Sequence, residues 1–263
     1  MSVLEVRDLV KEYRLREGRR SRVLTAVNKV SFSIETGRTV ALVGQSGSGK
    51  STLAKLLMQL EKPTSGQIVL DGSPVQRRGA GLKQYRSDVQ MVFQDPFASL
   101  NPYHTIAHHL GRPLILHGKA SGRDEVMAGV HRLLERVRLE PDMAGRKPHE
   151  LSGGQRQRIA IARALAPEPR ILVADEPVSM LDVSIRLGVL NLLADLQREE
   201  NLGVFYITHD LATARHFSDD ILVMFKGDIV ERGPADDVIL NPRHEYTQLL
   251  AEAAPNPEKR VSA

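Results

Sequence analysis

The sequence predicts an α/β fold built on a largely parallel sheet. Short apolar runs alternate with stretches of helical spacing along most of the chain, and one of these runs opens directly into a glycine-rich loop and a helix. Residues 3–35 read as short strands, with Val3, Leu4, Glu5 and Val6 alternating and Val30 to Ile34 alternating again; a basic, glycine-containing loop from Arg14 to Arg22 separates them. Thr39-Val40-Ala41-Leu42-Val43 is continuously apolar after its first residue, the pattern of a strand buried on both faces. A helix with Leu53, Leu56, Leu57 and Leu60 on one side follows. Further strands are expected at 67–70, 89–93, 170–174, 203–208 and 221–225, with a short helix between the last two. Residues 103–166 break the alternation, because helical spacing at 124–138 and 153–166 has no convincing strand between it, and this stretch reads as a helical insertion. The expected organisation is one domain over residues 1–252, with the helical subdomain at about 103–166 inserted in it. Residues 253–263, with Pro255 and Pro257 among charges, read as a flexible tail.

With 263 residues, 41% of them apolar, the chain can bury an ordinary core. Its 36 basic and 32 acidic residues nearly cancel, so no basic tract favours nucleic acid as a partner. The lack of cysteine excludes disulfides and thiolate metal sites and suits a reducing compartment. No apolar run approaches the roughly 18 residues of a membrane span, and no basic patch followed by a long apolar stretch opens the chain, so cytoplasmic residence is the expectation.

Gly44-Gln45-Ser46-Gly47-Ser48-Gly49-Lys50-Ser51 fits the phosphate-loop pattern and stands between a buried strand and a helix, where that pattern acts. Glycines allow a tight turn whose N–H groups converge on phosphate oxygens, and the helix N-terminus adds a favourable dipole. In this reading Lys50 contacts the terminal phosphates and the Ser51 hydroxyl ligates magnesium. The strand Arg170-Ile171-Leu172-Val173-Ala174 ends in Asp175-Glu176-Pro177. Adjacent carboxylates repel and call for a cation or solvent. Asp175 would hold magnesium, through water or Ser51, and Glu176 would orient and polarise the attacking water. A third segment, Leu151-Ser152-Gly153-Gly154-Gln155, has capping-box spacing, but capping does not require two glycines. A second phosphate-contacting helix end is the sharper reading.

With residues 151–155 placed downstream of the phosphate loop and upstream of the acidic strand, these three segments resemble the ATP-binding cassette (ABC) ATPases, and the resemblance spans about residues 3–252. It implies a phosphate-loop NTPase core with an N-terminal antiparallel β subdomain and an inserted α-helical subdomain, and ATP with Mg2+ as cofactors. By the same resemblance Tyr13 stacks on adenine, the loop 44–52 including Thr52 holds the nucleotide, and Gln94 lies in the loop joining the subdomains, near metal and water. Ser179-Met180-Leu181-Asp182 matches the loop after the acidic strand, with Asp182 at the nucleotide and Met180 in place of the usual small residue. His209 contacts γ-phosphate and the catalytic water. Family members pair head to tail, each ATP lying between the phosphate loop of one subunit and Ser152, Gly153, Gly154 and Gln155 of the other.

Gln94-Asp95-Pro96-Phe97-Ala98-Ser99-Leu100-Asn101-Pro102 and residues 241–250 resemble the ATPases of oligopeptide, dipeptide and nickel importers. That implies a second ATPase subunit, with a heterodimer ahead of a homodimer, and two transmembrane permease subunits. It also implies an extracytoplasmic solute-binding protein and a peripheral place on the cytoplasmic face of the membrane. Peptide import leads; nickel or oligosaccharide import, and a soluble cassette ATPase without a permease, are the alternatives. A phosphate-loop kinase or GTPase leaves residues 151–155 unexplained, and a degenerate regulatory subunit would not need every catalytic position intact.

Overall fold

The computed structural model describes residues 3–17 and 20–253. The expected tail lies outside the described residues, apart from its first residue. The chain forms two compact units: Val3–Val75 is joined by residues 205–253, and Gln76–Val204 makes the other.

The first of these begins with β1 (Val3–Glu17) and β2 (Arg20–Glu35), paired antiparallel from Val3↔Glu35 to Glu17↔Arg20. Of the loop expected from Arg14 to Arg22, residues 14–17 and 20–22 are strand, and residues 18–19 lie outside the described residues. Cross-strand pairing satisfies the backbone of the described residues there, and Arg14 and Arg22, which suggested a loop, are exposed on a ribbon that need not bury both faces. β3 (Thr39–Val43) is buried along its whole length. The phosphate loop leads from it into α1 (Lys50–Leu57), whose Leu53, Leu56 and Leu57 are wholly buried. Leu60, expected on the same face, lies beyond the helix and is 57% exposed, because α1 stops at Met58 and Gln59 turns with φ 53°. β4 (Ser65–Leu70) pairs antiparallel with β1, and the two-residue β5 (Ser73–Pro74) completes the order β2-β1-β4-β5.

The second unit carries α2 (Gly79–Asp88), β6 (Val89–Val92), α3 (Pro96–Ser99), α4 (Ile106–Leu116), α5 (Arg123–Arg136), α6 (Gly153–Leu165), β7 (Ile171–Asp175) and α7 (Val183–Glu199). β6 runs parallel to β7, from Val89↔Ile171 to Val92↔Ala174. Within residues 103–166 the structure has helices and no strand among the described residues. β8 (Gly203–Thr208), buried throughout, contains the boundary at which the chain returns to the first unit. There follow α8 (Leu211–Phe217), β9 (Asp220–Phe225), β10 (Asp228–Pro234), α9 (Ala235–Leu240) and α10 (Glu245–Ala253). β9 lies parallel to β3, from Val40↔Asp220 to Val43↔Val223, and β10 lies antiparallel to β9. The parallel core expected from the uninterrupted apolar runs is present in each unit.

Candidate functional site

The unit containing β3 carries the phosphate loop, Tyr13 and His209. At the mouth of β3, Gly44 is buried, and a Cβ there would stand 2.3 Å from the Met224 carbonyl oxygen, so only glycine fits. Gly49 holds φ 114°, and its missing Cβ would meet the Ala26 carbonyl oxygen at 2.2 Å. Gly49 is also the N-cap of α1 and offers no side chain to cap it, which leaves the first amides of the helix for an anion. Lys50 Nζ donates to the carbonyls of Gly44 at 2.5 Å and Gln45 at 3.1 Å, so the ammonium is held at the loop by the loop's own backbone. The Ser48 hydroxyl is buried and has no hydrogen-bond partner among the described residues. Gln45, Ser46, Gly47 and Ser51 are exposed, and Thr52 is half-buried. An uncapped helix start, a basic side chain lodged in the loop and an orphaned hydroxyl fit a triphosphate.

Tyr13 is half-buried beside the first turn of α1, where its side chain hydrogen-bonds with Thr52. Its hydroxyl donates to Glu61 at 2.6 Å, and Lys11 Nζ lies 4.8 Å from the ring centroid and 3.1 Å from Glu61. Burial, and then the Glu61 carboxylate, push the Tyr13 phenol up, while the same hydrogen bond draws the Glu61 carboxyl below its ordinary value. His209 stands exposed just past β8, between Thr208, whose hydroxyl accepts from Asp210 N–H, and Asp210, whose carboxylate caps α8.

The other unit carries Gln94, Asp175, Glu176, Asp182 and the 151–155 segment. Gln94 Nε2 donates to Glu176 Oε2 at 3.0 Å. Glu176 holds φ 44°, a left-handed backbone that costs a non-glycine residue roughly 1–2 kcal/mol. Its carbonyl accepts from the Ser179 N–H at 3.1 Å and the Ser179 hydroxyl at 3.0 Å, which closes the turn around Pro177. The left-handed backbone thus holds a carboxylate at the end of a buried strand against a glutamine amide. Asp175 and Glu176 are both partly exposed at the end of β7.

Residues after Gln94 are clamped to α6. Asp95 caps α3 through Phe97 N–H and Ala98 N–H, the Arg156 guanidinium lies 4.1 Å over the Phe97 ring, and Arg163 donates to the Ser99 carbonyl. At the start of α6, Ser152 and Gln155 cap each other: Gln155 N–H donates to Ser152 Oγ at 3.3 Å, and Ser152 N–H donates to Gln155 Oε1 at 2.9 Å. Gly154 is buried, and a Cβ there would come within 2.6 Å of Ile185 Cγ2; at Gly153 the nearest atom is Leu181 Cδ2 at 3.4 Å. The two glycines thus have different work. Gly154 lets α6 approach α7, whereas Gly153, beside it, is only half-buried and meets no such close neighbour. Leu181 adjoins Asp182, the N-cap of α7, which is exposed and makes no cap with its side chain.

Sequence reasoning missed three groups: Glu61, which holds the Tyr13 hydroxyl; Arg156 and Arg163, which hold the segment after Gln94; and Tyr246, whose hydroxyl accepts from Gln45 N–H. Only the last had a signal, since residues 241–250 stood out as a motif without a role.

The family model described as ABC transporter matches residues 27–179. The chain is 49% identical over 257 residues to the glutathione import ATP-binding protein GsiA of Shigella dysenteriae serotype 1, covering 96% of this chain and 41% of that protein's length. It is 47% identical over 259 residues to the di/tripeptide transport ATP-binding protein DppF of Pseudomonas aeruginosa, covering 97% of this chain and 79% of that one. Among solved structures it resembles the dimeric post-hydrolysis state of the ATP-binding cassette MJ0796 bound to ADP and Pi, with 32% identity and a TM-score of 0.75 over 88% of this chain and 98% of that one.

Proposed function

Since the chain belongs to the ABC transporter family, we propose that it is the ATP-hydrolysing subunit of an importer, with short peptides as the leading cargo class. Support for hydrolysis comes first from the 3.0 Å hydrogen bond that holds Glu176 Oε2 on Gln94 while the Glu176 backbone is kept left-handed. A carboxylate so placed accepts a proton from an attacking water and orients it. The phosphate loop supplies N–H groups and the Lys50 ammonium to the charge that builds on the transferring phosphoryl group. His209 would contact the γ-phosphate and water, and Tyr13 would stack on the adenine.

Magnesium would be held by Ser51, Asp175 and Gln94, an all-oxygen donor set of the kind this cation takes, with phosphate and water completing it. When bound, the ion neutralises phosphate charge.

The 151–155 segment, with half-buried Gly153 at the helix start, would close over the nucleotide of a second ATPase subunit, as Asp182 would. That partner is a sister chain ahead of an identical copy, and ATP drives the pairing by binding the closed state better. No helix among the described residues is long and apolar enough to cross a membrane, so transport work would leave through a protein contact with two permease subunits. Cargo would come from a solute-binding protein, with the ATPase on the cytoplasmic face. Short peptides lead because the similar proteins carry the names of glutathione and di/tripeptide transport.

Phosphate release from ATP by the purified chain, with and without its co-encoded ATPase, tests the reading. Hydrolysis lost in Lys50→Ala and in Glu176→Gln, with ATP-induced association of Glu176→Gln, is the expected result; turnover equal in all three proteins would refute it.

A further inference from the structure

The second residue of the phosphate loop is tied to a part of the chain that hydrolysis does not use. Gln45 N–H donates to the Tyr246 hydroxyl at 2.9 Å, and the Gln45 carbonyl accepts from Lys50 Nζ at 3.1 Å. Both backbone groups of Gln45 are therefore engaged, although its side chain is exposed. The tether falls just before Gly47, which stands at φ 81° with nothing within 4 Å of where a Cβ would be, so that joint does little to restrain the loop.

Tyr246 is itself immobilised. It is 6% exposed, and its ring packs on Phe225, the last residue of β9, with centroids 4.2 Å apart. Its N–H donates to His244 Nδ1 at 3.1 Å. Glu231 of β10 accepts from the N–H groups of Arg243 at 2.9 Å and His244 at 3.0 Å, which pins the chain just before α10. Residues 241–246 thus form a strap, anchored on β10 and ending in a hydroxyl on the phosphate loop. All of these groups belong to one compact unit.

We infer that Tyr246 is a positioning residue for nucleotide binding: it fixes the first turn of the phosphate loop through the Gln45 amide, and Glu231 sets its position through the strap. The inference rests on the reading of residues 44–52 as a nucleotide loop. A loop held in its binding shape loses less conformational freedom when the phosphates arrive, so the tether acts on affinity. Tyr246→Phe keeps the ring on Phe225 and removes the acceptor alone. Glu231→Gln keeps the size of the side chain but turns an N–H donor toward at least one backbone N–H, so the strap loosens.

Mg2+-ATP binding to the full chain by titration calorimetry, together with KM and kcat for ATP, reads this out. Tyr246→Phe raises the Kd about 2- to 10-fold, the worth of one neutral hydrogen bond, and the loss falls on KM more than on kcat. Glu231→Gln weakens binding in the parent but adds nothing in the Tyr246→Phe background, as expected if it acts through the hydroxyl. Wild-type affinity in Tyr246→Phe would overturn the inference, as would additive losses in the double variant. Lys50→Ala separates the two readings. If it binds as well as the parent, the nucleotide loop itself is wrong; if it loses binding while Tyr246→Phe does not, the strap alone is wrong.

Discussion

At the start of α1, Gly49 stands at the N-cap with φ 114° and no side chain satisfies the first amides, whereas at the start of α6 Ser152 and Gln155 close on one another in a capping box. Both helix entries follow a loop and carry glycines, and in sequence both suit an approaching phosphate. In the first, glycine supplies conformations and clearances that no other residue can take. In the second, the helix start is already partly satisfied from within, and one of the two glycines is there for helix packing. A glycine pair is therefore evidence of close approach, but the approaching group can be an anion or simply a neighbouring isoleucine.

The largest effect is expected where chemistry depends on one carboxylate. Glu176→Gln should lower ATP turnover by roughly 100-fold or more in a phosphate-release assay, while ATP binding survives. Next comes Gly49→Ala, which meets both the unfavourable φ and the Ala26 carbonyl; about 3 kcal/mol of stability should be lost in urea unfolding. A loss much below 1 kcal/mol would remove the claim that the first loop needs its glycines for shape. Gly154→Ala should cost about 2 kcal/mol through the clash with Ile185 Cγ2, and Ile185→Ala, which removes that carbon, should cost less in the Gly154→Ala background than in the parent; Gly153→Ala should be nearly silent in the same unfolding curve yet weaken ATP-driven pairing. Equal effects at both positions would erase the division of labour at α6. Ser152→Ala should cost about 1 kcal/mol, the usual worth of an N-cap, with a larger share appearing as fraying of α6 in hydrogen exchange.

The smallest effect concerns pH. Burial pushes the Glu231 carboxyl up, but the N–H groups of Arg243 and His244 donate to its charged form, and the group lies below its ordinary value. Its contribution is then present above an ordinary carboxylate value of about 4.3 and is lost as pH falls through the depressed value. Unfolding midpoints of the parent should fall faster below about pH 4 than those of Glu231→Gln. Parallel curves would leave the carboxylate with no part in fastening the strap.

The contrast between the two helix entries also marks how much could be read in advance. β3, β7 and β8 were legible because strands buried on both faces are written as unbroken apolar runs, and α5 and α6 because their apolar positions keep helical spacing. The hairpin arms around Arg14 and Arg22 were not, since an exposed ribbon places few demands on its side chains. Nor was the stop of α1 before Leu60, where the left-handed turn at Gln59 overrides an apolar spacing that would have continued the helix.

Local order along the chain was enough to determine the phosphate loop, the paired carboxylates and the family. Each of these is a short run of residues whose chemistry is complete within itself and its flanking strand or helix. Tertiary structure alone decided that Gly154 serves Ile185, that Gln94 holds Glu176 and that Tyr246 holds Gln45. Those contacts join residues 31, 82 and 201 positions apart. A hydrogen bond or a missing Cβ acts over a few ångströms, and no local pattern records which distant segment the fold will bring that close.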